Sequence, residues 1–209
     1  IKKLELKKKD FFYLKKYCDK KKIEFISTPY DLESAKFLKE IKINTYKTAS
    51  ADLTDYLLHE FISKTNSKVI ISTGMASLED IKKTLDIYKN KKKIQLLHCV
   101  SSYPCSSKNL NLKCIKLLRQ KFKIPIGFSD HSIGSDAAII ALALGARLFE
   151  KHFTLSKNMS GPDHKTSMNP KEFKNYINKI KLARQILGRP LKKIWPEEFE
   201  MKKISSKSI

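Results

Sequence analysis

The sequence predicts a parallel α/β protein with the repeat of a (β/α)8 barrel. Three observations carry this expectation: short β-rich runs alternate with longer amphipathic stretches, successive runs start roughly 20 to 30 residues apart, and each run ends in a polar, often hydroxyl-bearing cluster. A doubly wound sheet fits the spacing almost as well, so periodicity alone leaves both architectures open.

The predicted strands are residues 23–28 (IEFIST), 44–50 (NTYKTAS), 69–73 (VIIST), 94–101 (IQLLHCVS), 124–129 (IPIGFS) and 147–153 (RLFEKHF), six in all. Most are rich in β-branched or aromatic residues, which suit a pleated, half-buried surface. Between them, residues 32–41, 53–65, 77–90, 112–122 and 134–146 repeat apolar side chains at helical spacing, each long enough for a crossover helix. Ser77, before LEDI, is the expected cap of one of them. Residues 169–190 read as a further helix with Asn169 as its cap and Pro170 in its first position. Residues 1–190 thus form one domain, and the polar, weakly patterned residues 191–209 read as a linker toward a domain that is absent.

A chain of 209 residues that is 41% apolar supports one sizeable core. Its longest apolar run, AAIIALALGA, is well short of the roughly 18 residues a membrane helix requires, so no membrane partner is expected. The start at Ile1, with neither an initiator Met nor a signal-type leader, reads as cut. Cys18, Cys99, Cys105 and Cys114 have no CxxC spacing and suit a reduced, cytoplasmic protein in which Cys99 serves as a small buried hydrophobe. A net charge of +22 first suggests nucleic acid. Arginine, the group that reads bases bidentately, occurs only at positions 119, 147, 184 and 189, and the lysines are spread over every segment. The expectation is therefore a solvated Lys-rich surface that attracts small anions, with no nucleic acid as partner.

The chemistry is expected at the strand tails, because parallel α/β folds place their sites at the carboxyl ends of the strands. Side chains alternate across a strand, so Ser129 shares a face with His131 in FSDHS, and Glu150 shares one with His152 in FEKHFT. Two imidazoles from neighbouring strand ends would leave open positions on a divalent ion; either alone reads more readily as a hydrogen-bonded core or loop histidine. Lys47, in a strand position expected to be buried, needs an anionic partner, which is either an acid such as Asp52 or a bound carboxylate or phosphate. Ser27, Thr28, Ser50, Ser72 and Thr73 offer hydroxyl donors around it, though each taken singly reads as a turn or cap residue. His59 is expected on a helix surface, and His98 in a local or supporting contact.

The tags STPYDLESAKFL, YKTASADLT, STGMASLEDI, LLHCVSSYP, GFSDHSIG, EKHFTL and GPDH stand in the order and approximate spacing of the sialic acid synthase family, which the chain resembles over nearly its whole length. That family comprises N-acetylneuraminate synthase and its legionaminate, pseudaminate and spore-coat-polysaccharide relatives. The resemblance implies a (β/α)8 barrel followed by an antifreeze-like domain, a homodimer, and condensation of phosphoenolpyruvate with an N-acetylated hexosamine with release of phosphate. It makes His131 and His152 ligands of a divalent metal, Mn2+ or Mg2+. It places Lys47, Ser50, Thr28, Ser72 and Ser129 at phosphoenolpyruvate, Tyr103 and Asp163 toward the sugar, and Asp52 as the acid two residues after Ser50. Ser101 stands where some members carry an asparagine. The family's first two strands, with an early glutamate and a KFQ-like tag, have no counterpart before IEFIST, so strands 3 to 8 of the barrel are expected here, inactive or nearly so in isolation. Another phosphoenolpyruvate-dependent aldol-type barrel is the alternative enzyme, and a polyanion-binding module the non-enzymatic one.

Overall fold

The computed structural model describes residues 5–207. Five strands, β1 (Thr45–Thr48), β2 (Lys68–Ser72), β3 (Ile94–His98), β4 (Ile126–Asp130) and β5 (Phe149–Lys151), form one parallel sheet in sequence order. The register pairs Thr45 with Lys68, Val69 with Ile94, Leu96 with Ile126 and Phe128 with Phe149. A doubly wound sheet reverses its strand order at a switch point, and this one never does. The chain is a curled half-barrel, an incomplete (β/α)8 barrel.

Helices α1 (Lys8–Lys20) and α2 (Leu32–Glu40) precede β1, and α3 (Tyr56–Lys64), α4 (Leu78–Ile87), α5 (Cys114–Phe122) and α6 (Asp136–Ala143) are the four crossovers. After β5 come α7 (Pro170–Leu187) and α8 (Phe199–Ser205). The helix starts are written in side chains. Asp31 accepts from the Ser34 amide at 2.6 Å, Asp55 from the Leu58 amide at 3.0 Å, and Ser77 with Asp80 and Asn169 with Glu172 close reciprocal capping boxes. Pro170 takes the first position of α7, where its missing N–H leaves no bond unmade.

The two faces of the sheet differ by strand alternation. Tyr46, Val69, Ile71, Leu96, Ile126 and Phe128 pack outward on Leu38, Leu58, Ile62, Ile81, Leu85, Ile115 and Leu118 of the helices. Each fully buried aliphatic side chain contributes about 1.5–3 kcal/mol relative to leaving it in water. The intervening residues, among them Lys47, Ser72, Gly127, Ser129 and Glu150, face inward. Gly127 is the tightest of these: a Cβ there would lie 2.6 Å from the Leu148 carbonyl oxygen and 2.6 Å from a Leu97 methyl. Only a glycine lets β4 approach its neighbours so closely.

The structure corrects two expectations. Residues 23–28 make no strand; a single bridge, Ser27 to Tyr46, remains, and Ile23 is 63% exposed. One bridge fixes one residue and supplies no run of ladder hydrogen bonds, so the segment stays irregular beside β1. His59 is fully buried rather than on the surface: its Nδ1 sits 2.7 Å from the Tyr88 hydroxyl, and burial lowers its pKa to about 4. In residues 191–209, Pro196–Glu198 form a short turn of 3-10 helix leading into α8, and Trp195, Phe199, Met201 and Ile204 are exposed. Among the described residues no helix is long and apolar enough to cross a membrane.

Candidate active site

The tails of β1 to β5 converge on a cavity of about 490 Å3 lined by Lys47, Ser50, Ser72, Ser129, His131 and His152. Of the other predicted residues, Thr28, Ser101 and Tyr103 also stand in its wall, beside Tyr30, Cys99 and Glu150, whereas Asp52 and Asp163 do not. Alternation explains the convergence: each inward residue near a strand's carboxyl end projects into the same mouth.

Lys47 meets an acid, though not the one expected. Its Nζ lies 3.4 Å from Oε1 of Glu150, across the mouth on β5. Asp52 turns away into the short helical turn Ser50–Asp52 and is not in the cavity wall. Its Oδ2 is buried without a hydrogen-bond partner among the described residues, and burial, then the nearby Asp55 charge, raises its pKa. Sequence distance favoured Asp52; the curl of the sheet brings Glu150 instead. Period-2 alternation put Glu150 on the His152 face but could not place that face opposite Lys47.

The hydroxyls form a cradle beside the ammonium. Ser50 Oγ accepts from the Gly74 amide at 3.0 Å and touches Cys99 Sγ at 3.2 Å. A Cβ on Gly74 would lie 2.5 Å from Ser101 Oγ and 2.9 Å from Ser50 Oγ, so a side chain here would fill the cradle. Ser72 is 3% exposed and its hydroxyl has no hydrogen-bond partner among the described residues. A buried, unpaired donor in a cavity wall beside a lysine is an acceptor's site waiting to be satisfied. Gly74 and Cys99 are site residues that sequence reading missed; the break of β2 at STGM was the signal for the first.

His131 and His152 do meet, with ring centroids 5.7 Å apart. Nδ1 of His131 donates to the Val100 carbonyl at 2.7 Å, and since a carbonyl only accepts, the other nitrogen, Nε2, carries the free lone pair. Ser129 Oγ stands 3.2 Å from that Nε2. Burial keeps the His131 pKa below the ordinary imidazole value, against the raising effect of the Val100 bond. A neutral imidazole oriented by a backbone carbonyl is what a metal ligand requires, so His131 fits a divalent ion, with His152 beside it as a second imidazole. No group of three or more His, Cys, Asp or Glu able to hold an ion occurs among the described residues.

Tyr103 tilts over His131 at 4.2 Å between centroids and closes that side of the mouth. Asp163 stands at its edge, its Oδ2 3.9 Å from His152 Nδ1, and also borders the neighbouring groove with Thr28 and Tyr30. His164 of GPDH turns back to Thr154, 2.8 Å from its hydroxyl, and His98 holds the Leu110 carbonyl at 2.8 Å, stacked on Phe128.

Behind the mouth lies a buried polar network. Asp130 accepts from the Ser132 amide at 2.9 Å and from the Ser132 hydroxyl at 2.6 Å. Its other oxygen takes the Tyr176 hydroxyl of α7 at 3.1 Å and faces Lys151 Nζ at 3.2 Å. Lys151 also donates to the Ser132 carbonyl. Burial lowers the Lys151 pKa against the pull of Asp130, and raises that of Tyr176. Asp130 sits between Ser129 and His131, and Lys151 between Glu150 and His152, so this network fixes the outward-facing neighbours of four site residues.

Residues 1–192 match the NeuB family. Over its full length the chain is 40% identical to an N,N'-diacetyllegionaminic acid synthase of Campylobacter jejuni, covering 64% of that protein. It is 31% identical over 99% of its length to the N-acetylneuraminate-9-phosphate synthase of Homo sapiens, covering 58%. The crystal structure of the N-acetylneuraminic acid synthetase from Leptospira borgpetersenii in complex with citrate aligns with a TM-score of 0.89 at 38% identity, over 96% of this chain and 70% of that one. The chain thus spans about three-fifths of the length of the curated relatives it matches.

Proposed function

The chain belongs to the NeuB family, and we propose that it forms the phosphoenolpyruvate-holding side of a nonulosonic acid synthase. In this reading phosphoenolpyruvate condenses with an N-acetylated hexosamine such as N-acetylmannosamine. The carrying observation is the convergence of one ammonium, the serine hydroxyls and two histidines on a single cavity at successive strand tails.

The bond-forming step joins C3 of phosphoenolpyruvate to the aldehyde carbon of the sugar; water adds at C2 and phosphate leaves. Lys47 would give up part of its pairing with Glu150 and hold the anion, with Ser50, Ser72 and Ser129 as donors and Thr28 and Ser101 at the rim. His131 and His152 would hold Mn2+ or Mg2+, which supplies Lewis acidity at the aldehyde oxygen. Tyr103 and Asp163, beside His131 and His152, would face the sugar. Glu150 would keep Lys47 extended into the mouth between turnovers. Asp52, outside the wall, would act through the turn that carries Ser50.

Residues 1–190 are proposed as part of the catalytic barrel and 191–209 as a linker toward an antifreeze-like domain of a homodimeric, cytoplasmic enzyme. Five strands close only part of a mouth, so this chain alone is expected to show turnover at or below detection, since loss of positioning costs orders of magnitude. The deciding experiment uses the complete protein: His131→Ala and His152→Ala should each abolish metal-dependent formation of a 3-deoxyulosonic acid from phosphoenolpyruvate. Unchanged turnover in either variant would overturn the assignment.

A further inference from the structure

His131 is the enclosed residue of an Asx turn at the end of β4. The Ser132 amide and hydroxyl both donate to Oδ1 of Asp130, at 2.9 and 2.6 Å, so the turn closes around the histidine between them. Such closure restricts the backbone torsions of the enclosed residue, and with them the direction in which its side chain leaves the chain. The His131 carbonyl is held as well, accepting from the Cys105 amide at 2.8 Å.

The second histidine is tied to the same turn. Lys151 is the partner of Asp130 in the register of β4 with β5, and it immediately precedes His152. Its buried ammonium donates to the Ser132 carbonyl and lies 3.2 Å from Oδ2 of Asp130. One side chain from β5 thus grips both ends of the turn that carries His131. Oδ2 also accepts from the Tyr176 hydroxyl of α7 at 3.1 Å, and the Lys151 Nζ stands 5.7 Å from the centroid of that ring. Desolvation offsets much of the attraction in a buried ion pair, so stability is a poor reason for placing one here. Fixed geometry beside both histidines is a better one.

We infer that Asp130, Ser132, Lys151 and Tyr176 are positioning residues that set the separation and aim of the two imidazoles, so that α7, which contributes nothing to the cavity wall, governs how tightly the pair holds a divalent ion. This rests on the proposed reading of His131 and His152 as ligands. Ligand distances at a metal tolerate errors of only about 0.2 Å, and two imidazoles act together only if both strand ends are held in register. Groups that orient ligands from behind are accordingly worth about 10-fold to 100-fold in affinity.

The test is calorimetric titration of the complete protein with Mn2+ alone. Tyr176→Phe removes one hydroxyl and keeps the ring, and Ser132→Ala removes one of the two bonds that close the turn. Each should raise the Mn2+ dissociation constant, and the two together should raise it about 10-fold or more. Ile62→Val, which trims the core under α3, should lower the melting temperature and leave Mn2+ affinity unchanged. The metal-free protein gives a second readout: the Nδ1–H resonance of His131, held by the Val100 carbonyl, should move in Tyr176→Phe and in Ser132→Ala but not in Ile62→Val. Unchanged affinity in the double variant would overturn the inference. So would a loss of affinity that simply follows melting temperature, Ile62→Val included, since the network would then be structural only. His131→Ala separates the two readings. If it abolishes Mn2+ binding while the double variant binds normally, the positioning role falls and the ligands stand; if Mn2+ binds His131→Ala as before, both fall.

Discussion

The two ends of the same five strands make different openings. The amino-terminal end is the wider, about 1080 Å3 against about 490 Å3, yet its wall is built from residues such as Ile43, Val69, Ile94, Pro125 and Leu148 with lysines at the rim. Polar groups at its wall pair with one another. Lys93 Nζ donates to the Asn66 carbonyl at 2.6 Å and side-chain oxygen at 2.8 Å, and the Thr45 hydroxyl donates to Glu24 at 2.6 Å. At the carboxyl end a buried Ser72 hydroxyl is unpaired, and Lys47 reaches across the mouth to Glu150. Size does not mark the functional end of a barrel; unfinished polar business directed at one point does.

The largest expected contrast between the ends is in stability. Lys151→Met leaves Asp130 buried without its counter-charge and should cost about 3–5 kcal/mol, whereas Lys93→Met at the other rim should cost within about 1 kcal/mol. Urea midpoints of the two variants measure it, and equal midpoints would remove the network from the account. Next comes anion binding. Lys47→Met should raise the phosphoenolpyruvate dissociation constant about 100-fold, and Lys68→Met, at the opposite end of the neighbouring strand, less than about 2-fold. Calorimetric titration of the complete protein decides between them.

Two glycines sharpen the contrast further. Gly127→Ala, set between β3 and β5, should lower stability by about 1–3 kcal/mol through overpacking. Gly74→Ala should instead be read in function: its Cβ meets the far ends of two serine side chains, which can rotate aside, so phosphoenolpyruvate affinity should fall about 10-fold with little change in melting temperature. If Gly74→Ala proves the more destabilising of the two, the division between core and cradle is misplaced.

The effect spread most thinly, over more than two pH units, concerns acid. His59 is held neutral, with its folded pKa lowered to about 4 from an ordinary 6.5. Between these values the unfolded chain binds more protons than the folded one, so stability rises with pH across that window and falls as the solution is acidified from about 6.5 toward 4. The slope from this one group is at most about 1.4 kcal/mol per pH unit. Replacing it by His59→Gln should flatten the acid limb of a stability-against-pH curve; an unaltered limb would show that other groups carry it.

Period and punctuation were enough to read the strand tails, the crossover helices, the caps at Ser77 and Asn169, and the pairing of Ser129 with His131, because these depend on local spacing and on backbone groups a few residues away. The family tags were legible for the same reason. Tertiary structure alone decided the rest. Whether the sheet winds one way or reverses depends on which strands become neighbours, and only the folded chain shows the unbroken order. Lys47 pairs with Glu150 rather than Asp52, and His59 disappears behind Tyr88, because burial and charge pairing act across space, where separation along the chain carries no weight. The segment at 23–28 retains all the composition of a strand, but a ladder is made by two partners, and composition describes only one.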